Sequence, residues 1–133
     1  MIGVDTNVVL RLFVVDDETQ HRRSVAFFAG RSADDPAYVN LLVIAELVWL
    51  LQRRYGFAMD RIIEVLRVLV ESVNVVVERR DLLEAVIAVG PGTHKVSLAD
   101  RLIAQMNQGA GCRATVTFDR PAADHIPAME LLA

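Results

Sequence analysis

The chain contains 133 residues, enough for one domain with a substantial core, so we expect a single domain over residues 1–133. Its net charge of −3 lacks the basic excess typical of nucleic-acid-binding domains, and its apolar runs are too short to span a bilayer. The one cysteine, Cys112, excludes an internal disulfide and a cysteine-based zinc cluster. We expect Cys112 in the core and the protein in the reducing cytoplasm.

The hydrophobic fraction of 53% is high for so short a chain. We expect the surplus apolar surface to fill a dense core and to form an interface with a second chain. No basic segment followed by an apolar one precedes the first predicted strand. The sequence therefore predicts neither a targeting signal nor a membrane anchor.

Two kinds of apolar stretch alternate along the chain. Short runs rich in branched residues predict strands, and longer runs with a 3.6-residue period predict helices. Strands are predicted at residues 1–4, 37–40, 74–78 and 114–118, with a short edge strand near 128–132. Helices are predicted at residues 18–29, 41–51, 61–73, 81–89 and 98–109. Propensity leaves residues 8–15 open between helix and strand.

Capping residues mark several helix starts. Asp17, Asp60 and Ser97 are predicted N-caps, because their side-chain oxygens can accept hydrogen bonds from the first free backbone amides of a helix. A turn is predicted at residues 90–93, and His94 is expected on a surface or in a loop. Strands that alternate with helices form mostly parallel sheets with helices on both faces. We therefore predict a three-layer α/β/α fold, in which helices cover both faces of a mostly parallel sheet of about five strands.

Two aspartates follow predicted strands directly. Ligands of open α/β sheets bind in the crevice at the carboxyl ends of the strands, which makes Asp5 and Asp119 candidate site residues. Asp119 could instead be an ordinary turn residue, since aspartate is common before a loop that contains proline. Asp100 lies three residues after Ser97, so it could serve only to stabilise a helix N-terminus.

Glu46 is the one charged residue in the apolar run over residues 41–51, a pattern that predicts a helix buried on nearly all sides. Burying an ionised glutamate without a partner costs several kcal/mol, so a compensating group is expected. An arginine could supply it in a buried salt bridge, or Glu46 could lie on the one solvated stripe of the helix. The remaining interpretation is that Glu46 joins the three aspartates in one site.

Four carboxylates gathered in one crevice would repel one another unless divalent cations bound between them. An all-oxygen ligand set favours Mg²⁺ or Mn²⁺ over zinc. Such ions can activate a water molecule and stabilise a phosphate during in-line attack. We therefore predict a metal site for phosphoryl chemistry whose ligands are Asp5, Glu46, Asp100 and Asp119.

The segments that hold these acids resemble the PIN-domain ribonucleases, and more narrowly the VapC-type toxins of bacterial toxin–antitoxin pairs. The similarity extends over essentially the whole chain, in order and spacing. It rests on Asp5-Thr6-Asn7, on Glu46 within residues 44–49, on Asp100 within residues 98–104, and on Thr117-Phe118-Asp119.

The resemblance implies catalytic roles for six residues. The four acids would bind the metal, and Asn7 and Thr117 would orient carboxylates or water. Many relatives carry a further acid at the position of Ser97, so this site would hold one negative charge fewer.

The resemblance also implies a five-stranded PIN-like sheet and a Mg²⁺- or Mn²⁺-dependent endoribonuclease that cleaves a structured RNA, such as a tRNA, rRNA or mRNA. It implies a homodimer, and a small cognate antitoxin that covers the active-site groove in a hetero-oligomer. The sequence leaves open whether such a nuclease would arrest growth as a toxin or act as a housekeeping enzyme.

Two other functions are compatible with parts of the pattern. A phosphatase of the haloacid dehalogenase type also begins with a strand that ends in aspartate, but it needs a second aspartate where this chain has Asn7. A catalytically silent PIN-like module would keep the fold and use its apolar surface to bind a protein.

Overall fold

The structure, a computed structural model, describes residues 1–92 and 95–132. His94 and the last residue of the predicted turn at 90–93 lie outside the described residues. The chain divides into two compact units, Met1–Arg80 and Asp81–Ala133. The described residues form five strands and seven helices, so the predicted α/β fold is confirmed. None of the helices in the described part of the chain has the length and apolar content that a bilayer crossing requires.

The first unit contains a three-stranded parallel sheet and four helices. The central strand is β2 (Ala37–Val39), which pairs with β1 (Ile2–Gly3) on one side and with β3 (Val75–Val77) on the other. Both Ala37 and Val39 are fully buried, as expected for the middle strand of a parallel sheet. The helices are α1 (Thr6–Phe13), α2 (Glu18–Ala29), α3 (Leu41–Arg53) and α4 (Met59–Glu71).

The stretch that propensity could not assign, residues 8–15, is helical through Phe13. Asp5 caps α1, and the helix buries Val9 and Leu10 while it packs against α2 and α3. Helical packing of this kind outweighs the weak strand preference of the valines. The predicted caps of α2 and α4 differ in outcome. Asp17 caps α2 and accepts a 2.9 Å hydrogen bond from the Gln20 amide.

The predicted N-cap at Asp60 is wrong. Helix α4 begins at Met59 after Ala58, and Asp60 lies within its first turn, where its carboxylate accepts a hydrogen bond from the amide of Arg61. An acidic residue is favoured both at the cap and in the first turn, because both positions face the positive end of the helix dipole. The sequence therefore indicated the right helix end and the wrong residue.

The second unit contains a parallel pair of strands, β4 (Thr115–Thr117) and β5 (Met129–Leu131). Its helices are α5 (Arg80–Val89), which begins at the boundary, α6 (Leu98–Gly109) and α7 (Arg120–His125). Buried apolar side chains from α6, α7 and β5 form its core. All five predicted strands are present and all pairs are parallel, but they form a three-stranded and a two-stranded sheet instead of the single sheet that we expected. Strand pairing depends on tertiary packing, which periodicity does not determine.

Two further expectations for the second unit are wrong. The predicted elements include no helix after residue 109, whereas α7 forms with Pro121 in its first turn, the part of a helix that tolerates proline because its amide would be unbonded. We expected Cys112 in the core, whereas it is exposed. It follows Gly111, which has a φ of +94° in the turn between α6 and β4, and turns of this kind lie at the surface.

Candidate functional site

Asp5 lies where β1 gives way to α1. The chain continues alongside β2 past the end of β1, since the Val4 amide donates a 3.0 Å hydrogen bond to the carbonyl of Tyr38. Asp5 then turns the chain into α1 as its N-cap, and its Oδ1 accepts a 2.7 Å hydrogen bond from the amide of Thr6. Asp5 is exposed. The predicted position at the carboxyl end of a strand is therefore confirmed, with the carboxylate accessible to a ligand.

Asn7 lies in the first turn of the same helix and is also exposed. It lines a small surface cavity together with Arg11 and Arg23. A neighbouring cavity is lined by Asp5 and again by Arg23. Arg23 thus borders both candidate residues of the first unit, and none of the described residues forms an ion pair with it.

Glu46 lies in the middle of α3, and the predicted burial on nearly all sides is wrong. The helix is buried on the face that carries Ile44, Leu47 and Leu51, whereas Glu46 belongs to an exposed stripe. We call this the α3 stripe, and its members are spaced by four, three and four residues: Leu42, Glu46, Trp49 and Arg53. Sequence alone could not reveal the stripe, because two of its four members are large apolar residues.

Exposure decides between the buried ion pair and the solvated stripe as surroundings of Glu46. Among the described residues, no arginine or lysine forms a salt bridge with it, so the predicted buried ion pair is absent there. Leu42 is 83% exposed and Trp49 is 55% exposed, so apolar side chains surround the unpaired glutamate on the surface. The structure therefore supports the solvated stripe over the buried ion pair, and the membership of Glu46 in an acidic site stays a prediction.

Asp100 lies in the first turn of α6. The N-cap of this helix is Ser97, as predicted, and the Ser97 hydroxyl accepts a 3.0 Å hydrogen bond from the backbone amide of Asp100. Asp100 itself is half-buried, and its carboxylate makes no hydrogen bond to another described residue. The cap therefore fixes the backbone of Asp100 and leaves its side chain available.

Asp119 is the N-cap of α7, where its Oδ1 accepts a 3.0 Å hydrogen bond from the Ala122 amide. The backbone amide of Asp119 donates a 3.0 Å hydrogen bond to the hydroxyl of Thr117. Thr117, at the end of β4, thereby fixes the start of the helix that Asp119 caps. Like Asp5, Asp119 lies between a strand and a helix and is exposed.

The three aspartates share one electrostatic setting. Each lies at the N-terminus of a helix, where free amides and the helix dipole favour negative charge. Asp5 and Glu46 belong to the first unit, whereas Asp100 and Asp119 belong to the second. Within either unit, the described residues bring together no group of three histidine, cysteine, aspartate or glutamate side chains at metal-binding distance. Convergence of the four acids therefore stays a prediction.

Other carboxylates of the first unit are paired. Asp35 forms ion pairs with the terminal ammonium group at 2.8 Å and with Arg31 at 2.7 Å. The hydrogen bond from the terminal ammonium lowers the pKa of Asp35. Asp16 binds Arg11 at 3.0 Å and accepts a 2.8 Å hydrogen bond from the Tyr55 hydroxyl, which lowers its pKa. These two carboxylates are paired with basic groups, in contrast with the four candidate acids.

Glu78 follows β3 as Asp5 follows β1, and sequence reasoning did not consider it. Its carboxylate accepts a 2.9 Å hydrogen bond from the Leu41 amide, the first residue of α3. Its position after a strand was the signal that could have identified it. Because the carboxylate is engaged with the helix that carries Glu46, we regard Glu78 as a residue that supports the site.

Sequence comparisons indicate the family of the chain. No curated protein matches the chain significantly. The sequence model of the PIN domain matches residues 2–125, which include all six candidate residues. The match leaves the haloacid dehalogenase interpretation without support. The chain therefore belongs to the PIN domain family.

Proposed function

We propose that the protein is a divalent-metal-dependent endoribonuclease of the cytoplasm and the toxin of a type II toxin–antitoxin pair. PIN domains are generally nucleases, and usually depend on a metal. One observation supports the proposal most directly. All four expected acids are present, and none is neutralised by a basic side chain of the described residues.

Mg²⁺ or Mn²⁺ fits the candidate residues by the chemistry of the donors, because hard cations prefer carboxylate oxygen. We assign as metal ligands Asp5, Glu46, Asp100 and Asp119. When bound, the ion supplies a more acidic water molecule as the nucleophile and stabilises charge on the phosphate. The roles of the remaining groups follow from their positions. Asn7 offers an amide beside Asp5, and Thr117 holds the backbone of Asp119.

Arg23 is a candidate contact for the RNA backbone. It lines the cavities beside both Asp5 and Asn7, and a guanidinium group suits two-pronged contact with a phosphate. A positive charge beside Asp5 would counter the repulsion between RNA and a chain of net charge −3. We propose that Arg23 holds a phosphate of the substrate next to Asp5.

The α3 stripe is a candidate contact for the antitoxin. A partner that covers it would bury Leu42 and Trp49, which are exposed in the isolated chain, and would block access to Glu46. The antitoxin would then bind the nuclease and inhibit RNA cleavage through the same surface. The apolar surplus elsewhere on the surface, including Val73 and Phe118, is compatible with the proposed homodimer.

RNA cleavage by the purified chain tests the enzymatic proposal. We expect a structured RNA to be cut in Mg²⁺ or Mn²⁺ and to stay intact after the metal is chelated. Asp5→Asn should abolish cleavage, whereas Asp60→Asn, which changes an exposed aspartate outside the proposed site, should not. Equal cleavage by wild type and Asp5→Asn would overturn the proposed site.

Expression in bacteria tests the toxin role. We expect expression without a partner to arrest growth, and Asp5→Asn to restore it. Normal growth with active, well-expressed wild type would support a housekeeping nuclease. Absence of cleavage under all metal conditions would support the protein-binding module.

A further inference from the structure

A cavity of about 150 Å³ lies within the second unit, beside α5 and α6. Most of its wall is apolar, and Val86, Val89, Val96, Ala104 and Ile126 contribute to it. Val86, Ala104 and Ile126 are among the buried residues of the unit, so these walls are fixed by packing. The cavity is distinct from the surface cavities beside Asp5 and Asn7, which belong to the first unit.

The size of the cavity limits its ligand. Apolar protein cavities of roughly this volume, about 150 Å³, accommodate a benzene-sized ring. A single six-membered ring therefore fits, whereas a fused two-ring system needs more space. A mostly apolar lining suits the faces of a planar ring, and polar groups are needed only where its edge lies.

Arg101 provides one polar group. Its guanidinium donates hydrogen bonds to the carbonyl of Val86 at 3.0 Å and to the carbonyl of Pro91 at 3.4 Å. Burial lowers the pKa of Arg101, and no carboxylate of the described residues pairs with it. A guanidinium has five N–H donors, so donors remain after these two bonds. Arg101 is therefore held in place at the cavity with hydrogen-bonding capacity to spare.

His125, Gln105 and Gln108 provide the other polar groups of the lining. The Nδ1 atom of His125 lies 2.9 Å from the carbonyl of Pro121, which can only accept, so neutral His125 carries its proton on Nδ1 and has an acceptor at Nε2. The two glutamines make no side-chain hydrogen bond to other described residues. Each offers both a donor and an acceptor.

We propose that this cavity receives one pyrimidine base of the RNA substrate. The proposal rests on the proposed ribonuclease function and gives it a sequence preference. Pyrimidine bases are single six-membered rings with a carbonyl oxygen at O2, to which Arg101 can donate, and their other edge groups match the glutamine amides and the histidine acceptor. Because Arg101 directly follows Asp100 in α6, the same helix would carry a candidate metal ligand and the base pocket.

Binding of mononucleotides tests the pocket without any cleavage. We would titrate the full chain with uridine and cytidine monophosphates, adenosine and guanosine monophosphates, and ribose 5-phosphate, and follow backbone amide signals of α6 by NMR. We expect the pyrimidine nucleotides to shift the signals of Ala104 and Gln105. Purine nucleotides should bind at least about tenfold more weakly, because their fused two-ring bases need more space than the cavity offers. Equal shifts with ribose 5-phosphate would mean that only phosphate is bound and would overturn the proposal.

Two variants test whether the pyrimidine nucleotides bind in this cavity. Ala104→Leu places three more carbon atoms in the cavity and should weaken binding of the pyrimidine nucleotides at least about tenfold. Ala88→Leu makes the same change at an exposed position of α5 outside the lining, and should leave binding unchanged. If Ala104→Leu does not fold, Gln105→Ala provides the test through the loss of an edge group. Binding that neither variant weakens would overturn the proposal.

The two proposals can fail separately. RNA cleavage without any preference for a pyrimidine near the cut, together with no binding of pyrimidine nucleotides, would remove the pocket and leave the ribonuclease. Specific binding of pyrimidine nucleotides by a chain that cuts no RNA would support the pocket and overturn the ribonuclease.

Discussion

The hydroxyl oxygen of Ser97 accepts a 3.0 Å hydrogen bond from the backbone amide of Asp100. This bond closes the first turn of α6 and fixes the backbone from which the Asp100 carboxylate projects. The reciprocal bond of a full capping box, from the Ser97 amide to the Asp100 carboxylate, is not formed. The structural role of Asp100 is therefore small, and its side chain is available for a ligand.

Ser97→Ala should destabilise the protein by about 1 kcal/mol, because the first turn of α6 loses its cap. Ser97→Asp should keep the stability, since aspartate caps helices as well as serine does, and should add a negative charge beside Asp100. We expect tighter Mn²⁺ binding by Ser97→Asp in calorimetry. Unfolding by urea measures the loss of stability in Ser97→Ala. Equal stability of Ser97→Ala and wild type would contradict the assigned cap.

Asp5 combines a capping role with a proposed catalytic one, and two substitutions separate them. Asn caps helices about as well as Asp, so Asp5→Asn should change the free energy of unfolding by less than ~0.5 kcal/mol while it abolishes cleavage. Asp5→Ala should abolish cleavage and also lose about 1 kcal/mol. Denaturation and cleavage of RNA, measured on the same preparations, check both expectations. Loss of folding in Asp5→Asn would contradict them.

Glu46→Gln should have little effect on the stability of the metal-free protein, because the side chain is exposed and has no ion-pair partner among the described residues. The substitution should affect the melting temperature only when the metal is present. Ions that bind only the folded state raise the melting temperature, and loss of a ligand reduces that increase. We expect thermal melts in Mn²⁺ to rise less for Glu46→Gln than for wild type. Glu71→Gln, at an exposed position of α4 that likewise has no ion-pair partner among the described residues, is a matched control.

Tyr55→Phe should reduce stability at neutral pH and have less effect in acid. The hydrogen bond from Tyr55 holds the pKa of Asp16 below its ordinary value of 3.8, with further contributions from Arg11. A carboxyl whose pKa is lower in the folded state stabilises the protein above the unfolded pKa, and this contribution is lost as the pH falls through the folded pKa. The stability difference between wild type and Tyr55→Phe should therefore shrink below about pH 4. Denaturation at several pH values measures it, and a constant difference would contradict the assignment.

Trp49 tests the proposed antitoxin surface. It is the one tryptophan of the chain and is 55% exposed, so its fluorescence should shift to shorter wavelength when a partner covers the α3 stripe. Trp49→Ala should weaken antitoxin binding and leave the melting temperature nearly unchanged. Val68→Ala, at an exposed apolar position on α4, should not weaken binding. Unaltered fluorescence in the complex would place the partner elsewhere.

Much of the candidate site could be predicted because its signals are local. Asp5 and Asp119 follow strands and cap helices, and Ser97 caps the helix that carries Asp100. Each of these relationships involves residues within a few positions of one another, so a sequence pattern contains them. The same is true of the number and direction of the strands, since strands separated by helices run parallel.

The sequence by itself determined the five strands, five of the seven described helices and the capped start of the helix that carries Asp100, because periodicity and capping are local properties. Only the tertiary structure decided that Glu46 lies on an exposed stripe, that Cys112 is exposed, that the strands pair as three and two, and that Arg101 borders a ring-sized cavity. Each of these facts depends on which residues, distant in sequence, pack against one another. A one-dimensional pattern of apolar residues specifies that some face is buried, and packing selects which one.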